Sequence, residues 1–177
     1  MKLPADFQME MYGLRLRLIN ESDAQFIVAL RNEEKARFMN IVPADVEQQK
    51  EWIRQYKVRE KNGIDYYFIY FQGNEPLGVN RLYNIKKDSF VGGSFVFTSD
   101  CEYDIPIKAT LIHWYIAFEI LGKSVSFGNI HKDNKKALKF NILLGSDLIY
   151  ESEEEFYVVM TKNMLQDKRQ KLEEMFI

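Results

Sequence analysis

The chain has 177 residues, 46% of them hydrophobic, and sets 24 Lys and Arg against 26 Asp and Glu for a formal charge of −2. That length suits one domain with a sizeable core, and the charge balance gives no global field to attract nucleic acid or an anionic bilayer. Cys101 is the single cysteine, which excludes an internal disulfide and a cysteine-cluster metal site.

Residues 1–12 mix apolar and acidic types without a clear period and read as a tether or irregular lead-in. They carry no basic segment followed by a long apolar run, so neither a signal peptide nor a membrane span is expected, and a cytoplasmic setting is the default. GLRLRLI (13–19) alternates Leu14, Leu16 and Leu18 with Arg15 and Arg17, the two-residue period of a half-buried strand. In NESDAQFIVALRN, Asn20 or Ser22 can accept backbone N–H bonds at a helix start, and Phe26, Ile27 and Leu30 recur at helical spacing. A break is expected near Asn40–Ala44, followed by the helical stretch DVEQQKEWIRQYKVREKNG, closed by Gly63, with Val46, Trp52, Ile53 and Tyr56 facing the body.

YYFIYF (66–71), a turn at Gly73 and Asn74, and PLGVNRLYNI predict adjacent antiparallel strands. The turn KKDS leads to FVGGSFVF (90–97), whose two central glycines predict a bulge or a closely approaching backbone. KATLIHWYIAFEILG reads as a helix that Pro106 precedes or starts and Gly122 ends. SVSFGNI is a strand, NKKALKFNILLG a helix and FYVVM (156–160) a strand. The tail 163–176 is an amphipathic helix that packs on the body or on a second subunit of a homodimer. The order β-α-α-β-β-β-α-β-α-β favours an α/β fold, a mixed sheet flanked by helices, over a bundle or barrel.

Three segments carry a family resemblance: GLRLRLINESDAQFIVALRN, AFEILG (117–122) and IHKDNKKALKFNILLG. Their order and separation over about residues 13–160 resemble the GCN5-related N-acetyltransferase (GNAT) superfamily, especially the branch of ribosomal-protein alanine and amino-sugar acetyltransferases. The resemblance implies one acetyltransferase-like domain over 1–177 with a mostly antiparallel mixed sheet. It also implies an acetyl-CoA cleft where the fourth and fifth predicted strands splay, and an acceptor amine entering from the opposite side. On this basis backbone N–H groups of Phe95, Val96 and Phe97 are candidates to polarise the thioester carbonyl, with Gly92 and Gly93 permitting passage of the pantetheine arm. Lys108, His131, Asn134, Lys136 and Asn141 complete the implied cofactor set. Asn134 can equally be a helix cap, and Lys136 a solvated lysine.

Two positions depart from the family pattern. The phosphate-binding turn falls on CEYDIPIK (101–108), where Glu102 and Asp104 stand in place of glycines. Carboxylates facing a pyrophosphate would repel it, whereas acidic residues at a helix start also satisfy ordinary capping. Asn141 stands where many members place the tyrosine that protonates the departing thiolate, and an amide is no practical proton donor.

On the acceptor side the candidates are Glu51, Asn80 and Tyr83. Glu51 can also belong to an ordinary solvated helix face, and His113 reads as a packed histidine or a base. Arg31 and Arg81, with the tyrosines at 66–70, suggest a small-molecule amine, in particular an amino-sugar nucleotide whose phosphate the arginines bind while the rings stack. A protein N-terminal amine, or an acetyltransferase-like binding protein without activity, are the alternatives. No metal site is expected.

Overall fold

The Leu14, Leu16, Leu18 alternation forms the strand it predicts, with all three side chains buried and Arg15 and Arg17 half-buried between them. In a computed structural model, which describes residues 1–39 and 44–176, that strand is β2 (Leu14–Leu18) and it pairs with β1 (Gln8–Met11). The lead-in is therefore irregular only before Gln8. Of the break expected at Asn40–Ala44, residues 40–43 lie outside the described residues.

The remaining strands are β3 (Asp65–Gln72), β4 (Glu75–Tyr83), β5 (Ser89–Phe97), β6 (Val125–His131), β7 (Asp147–Glu151) and β8 (Glu155–Thr161). The helices are α1 (Ala24–Arg31), α2 (Val46–Asn62), α3 (Ile105–Tyr115), α4 (Lys135–Leu143) and α5 (Lys162–Glu173). The sheet runs β1-β2-β3-β4-β5-β6-β8-β7, and every neighbouring pair is antiparallel except β5 with β6.

Local chemistry explains the helix ends. Asn20 accepts from Ser22 N–H while Asp23 returns to the Asn20 N–H, a reciprocal capping box. Asp45 caps α2 through the N–H groups of Glu47 and Gln48, and Gly63 ends it with φ +75°. Asp104 stands at the start of α3 but caps nothing with its side chain; it pairs instead with Lys108 at 2.7 Å.

Both faces of the sheet are covered, which is why β3 is buried along all but its last residue. On one face Tyr66, Phe68 and Tyr70 pack with Ile112, Trp114 and Phe118 around α3. On the other, Tyr67, Ile69 and Val79 pack with Ile27, Leu30, Ile53 and Tyr56 from α1 and α2. The C-terminal helix docks on the body: Leu165 and Leu172 join the α3-side core, and Glu173 bonds Tyr12 beside β1.

Candidate active site

The parallel pairing of β5 with β6 holds only from Ser89–Val125 to Val91–Phe127. Beyond Val91 the strands part, so the β6-facing edge of Gly92–Phe95 has no strand partner. The other edge is broken too: Val79 pairs with Val96 and Arg81 with Gly93, leaving Ser94 and Phe95 opposite the single residue Asn80. Two residues against one is a β-bulge, and Ser94 occupies it with φ +49°. The bulge that the Gly-Gly pair suggested is thus one residue further on. The glycines give space rather than a special φ: a Cβ on Gly92 would lie 3.2 Å from His113 Nε2, and one on Gly93 2.8 Å from the Tyr83 ring.

A cleft of about 480 Å³ opens in this splay. Its walls are the bulge, Ser126–His131 of β6, the α3 residues Thr110, His113 and Trp114, and one side of α4. Phe38 and Met39 close one lip, with Phe38 stacked on His131 at 5.3 Å. Nothing in the sequence pattern pointed to Phe38, since it lies in an irregular segment between helices.

Of the candidate residues, Asn80, Phe95, His131, Asn134, Lys136 and Asn141 line this cleft together. Asn80 is 3% exposed, directly across from the bulge. Asn134 Oδ1 accepts from Ala137 N–H, so the capping role is filled, while the same residue still borders the cleft. Asn141 donates to the Ala137 carbonyl at 2.9 Å. His131 Nδ1 accepts from Asp133 N–H, which leaves Nε2 as the protonated nitrogen of the neutral ring.

The other candidates stand elsewhere. Val96 and Phe97 are buried and paired with β4, so only Phe95 of that trio reaches the cleft. Lys108 is occupied by Asp104 and by the Phe176 ring at 5.5 Å. Among the described residues none from 98 to 108 lines the cleft, so Glu102, which is exposed, does not face it. Glu51 is exposed on α2, bonded to Gln55 and Arg54, and those bonds hold its pKa below the usual carboxylate range. Tyr83 packs against Gly93 from the opposite face of the sheet. Arg81 binds Asp65 and Arg31 reaches Ser94, and Tyr66, Tyr67 and Tyr70 are at most 2% exposed, so these rings are packed in the core and do not present faces to a ligand.

His113 is 3% exposed, with a buried Nδ1 that lacks a hydrogen-bond partner. Burial pushes its pKa down to about 3 from 6.5. Between those values the unfolded chain binds a proton that the fold rejects, so this group makes stability fall as pH falls from 6.5 towards 3 and has no effect above 6.5. The full traverse is on the order of several kcal/mol. His113→Phe should therefore show a shallower drop in Tm between neutral and acid pH than the parent; parallel Tm profiles would contradict the assignment.

The parted parallel strands, the bulge and the cleft between them define an N-acetyltransferase fold. No protein-family model and no curated protein matches the chain. Solved structures do. FdhC, described as a nucleotide-linked sugar GNAT, superposes with a TM-score of 0.84 at 32% identity, covering 94% of this chain and 96% of its own. The ribosomal-protein-S5-alanine acetyltransferase of Vibrio fischeri matches with a TM-score of 0.74 at 17% identity over 89% of this chain and 98% of its own. PseH of Campylobacter jejuni, in complex with acetyl coenzyme A, matches with a TM-score of 0.66 at 19% identity over 84% and 99%. The chain belongs to the GNAT superfamily, whose enzymes use acetyl-CoA as co-substrate.

Proposed function

We propose that the chain acts as one acetyltransferase domain that moves an acetyl group from acetyl-CoA to the primary amine of a nucleotide-linked amino sugar. The observation that carries the acceptor is the 32% identity, over nearly the whole of both chains, to a GNAT described by that substrate class. The cleft fits the co-substrate: the unpaired β5 edge offers amide donors and acceptors to the pantetheine arm, and Gly92 keeps its track free of a side chain.

In this reading the bulge at Ser94–Phe95 directs a backbone N–H at the thioester carbonyl and stabilises the oxyanion that forms when the neutral amine attacks. Holding both reactants in one cleft supplies much of the rate, and no covalent enzyme intermediate is required. The attacking nitrogen passes its surplus proton to solvent, and collapse breaks the C–S bond and releases the thiolate. Among the described residues no tyrosine lines the cleft, and a thiol with a pKa of about 8.5 can leave as thiolate and take its proton from solvent. The phosphates of the co-substrate lie away from residues 101–108, beside Lys136 and the start of α4.

Asn134→Ala tests the α4 end. Loss of the cap should cost about 1 kcal/mol of stability, and loss of the side-chain amide at the cleft should weaken acetyl-CoA binding by calorimetry by roughly tenfold, about 1.4 kcal/mol. Unchanged affinity would restrict Asn134 to capping. The acceptor is tested by incubating the protein with acetyl-CoA and a panel of nucleotide-linked amino sugars, following free thiol and the mass of the product. N-acetylated sugar nucleotide is expected. Turnover of peptide N-terminal amines alone, or of no amine, would overturn the assignment.

A further inference from the structure

The residue in the left-handed region of the β5 bulge is a serine, although two glycines immediately precede it. Ser94 holds φ +49°, whereas neither Gly92 nor Gly93 has a positive φ. A left-handed non-glycine residue costs on the order of 1 kcal/mol, so a glycine at 94 would make the same turn without that strain. What serine adds is a hydroxyl, and the hydroxyl is used. Arg31, the last residue of α1, points its Nη1 at Ser94 Oγ from the sheet face that α1 and α2 cover, at 3.4 Å. Beside them lies the Tyr67 hydroxyl, completely buried. Burial raises its pKa, and Arg31 and Ser94 act against that rise.

We propose that Arg31, with Tyr67 beside it, is a positioning residue: through the Ser94 hydroxyl it holds the bulge in the one conformation that turns its backbone N–H towards the thioester carbonyl. This rests on the acetyl-transfer reading of the cleft. At 3.4 Å the contact is longer than the usual 2.9 Å, and such contacts tighten when substrate binds. Arg31 touches no reacting atom in this role. Its guanidinium also places a positive charge behind the amide that must carry the developing oxyanion, where a low dielectric magnifies its effect.

The test separates geometry from folding. Ser94→Gly keeps the left-handed backbone and removes the hydroxyl; Ser94→Ala removes the hydroxyl and keeps the strain; Tyr67→Phe removes only the phenol oxygen. Isotope-edited infrared spectroscopy of carbonyl-labelled acetyl-CoA bound to each protein reads the polarisation of the thioester without any acceptor. The wild-type complex should show the carbonyl band moved to lower frequency. Ser94→Gly and Ser94→Ala should lose most of that shift and at least about tenfold in kcat, with the KM for acetyl-CoA changed less than about threefold, the pattern of an interaction made in the transition state. Tyr67→Phe should show a smaller loss of the same kind. An unshifted band in Ser94→Gly relative to wild type, with both proteins loaded, would overturn the positioning role alone. Failure of the wild type to bind acetyl-CoA would overturn the acetyl-transfer reading itself.

Discussion

Asp65→Ala should lower the thermal midpoint by roughly 6–12 °C, or about 3 kcal/mol at 2–4 °C per kcal/mol for a chain of this size. Asp65 is 2% exposed at the start of β3. Its carboxylate receives Arg59 Nε from α2 at 2.9 Å and Arg81 Nε from β4 at 2.7 Å. Both guanidiniums lie over Trp52, at 5.4 and 5.2 Å from its ring. Removing the carboxylate leaves two cations facing each other against an indole, and the Arg59 side chain, 36% exposed, is the one that can escape to water. That partial escape sets the estimate at the low end of what breaking a buried pair costs, about 3–5 kcal/mol. The contrast is Glu51→Ala, which breaks an exposed pair with Arg54 and should change stability by less than about 1 kcal/mol. It should also leave turnover intact, because Glu51 does not line the cleft. A shift below about 2 °C for Asp65→Ala would show that the cluster is not the clamp between α2, β3 and β4 that its geometry describes.

Gly92→Val should abolish acetyl-CoA binding at ordinary concentrations, with affinity reduced at least about 100-fold, some 2.8 kcal/mol. A Cβ at this position would point at His113 Nε2, 3.2 Å away, with Ser126 Oγ at 4.0 Å, and all three residues line the cleft. The valine methyl groups then occupy the track between the parted strands. Calorimetry with acetyl-CoA, beside a Tm measurement to confirm folding, reads the effect. Wild-type affinity in a folded Gly92→Val protein would place the arm elsewhere.

Most of the architecture was legible because it is written in periods and caps. Leu14, Leu16 and Leu18 announce β2, Asp45 and Gly63 bracket α2, and Gly73–Asn74 joins β3 to β4. The strand β7 was not, because all five of its residues are exposed and a wholly exposed edge strand has no buried alternation to read. The short β1 is hidden for a related reason: its residues are only exposed or half-buried. The site was partly legible. The resemblance brought Asn134, Asn141, His131 and Lys136 to one cleft, and Asn80 entered it from the other strand. Side-chain partnerships defeated the rest: Lys108 and Arg81 look like anion binders until their carboxylates appear, four and sixteen residues away in sequence. The glycine pair marked the right strand but the wrong residue, since glycine serves here for close packing while Ser94 takes the unusual φ.

The proposed acetyl transfer requires a thioester lying in the gap between β5 and β6. A crystal structure with acetyl-CoA bound tests this directly: the acetyl carbonyl oxygen should lie about 2.9 Å from a backbone nitrogen of the Ser94–Phe95 bulge, with the arm along Gly92–Phe95 and the phosphates beside Lys136 and α4. Acetyl-CoA seated outside the splay, or with its pyrophosphate against Glu102 and Asp104, would contradict it.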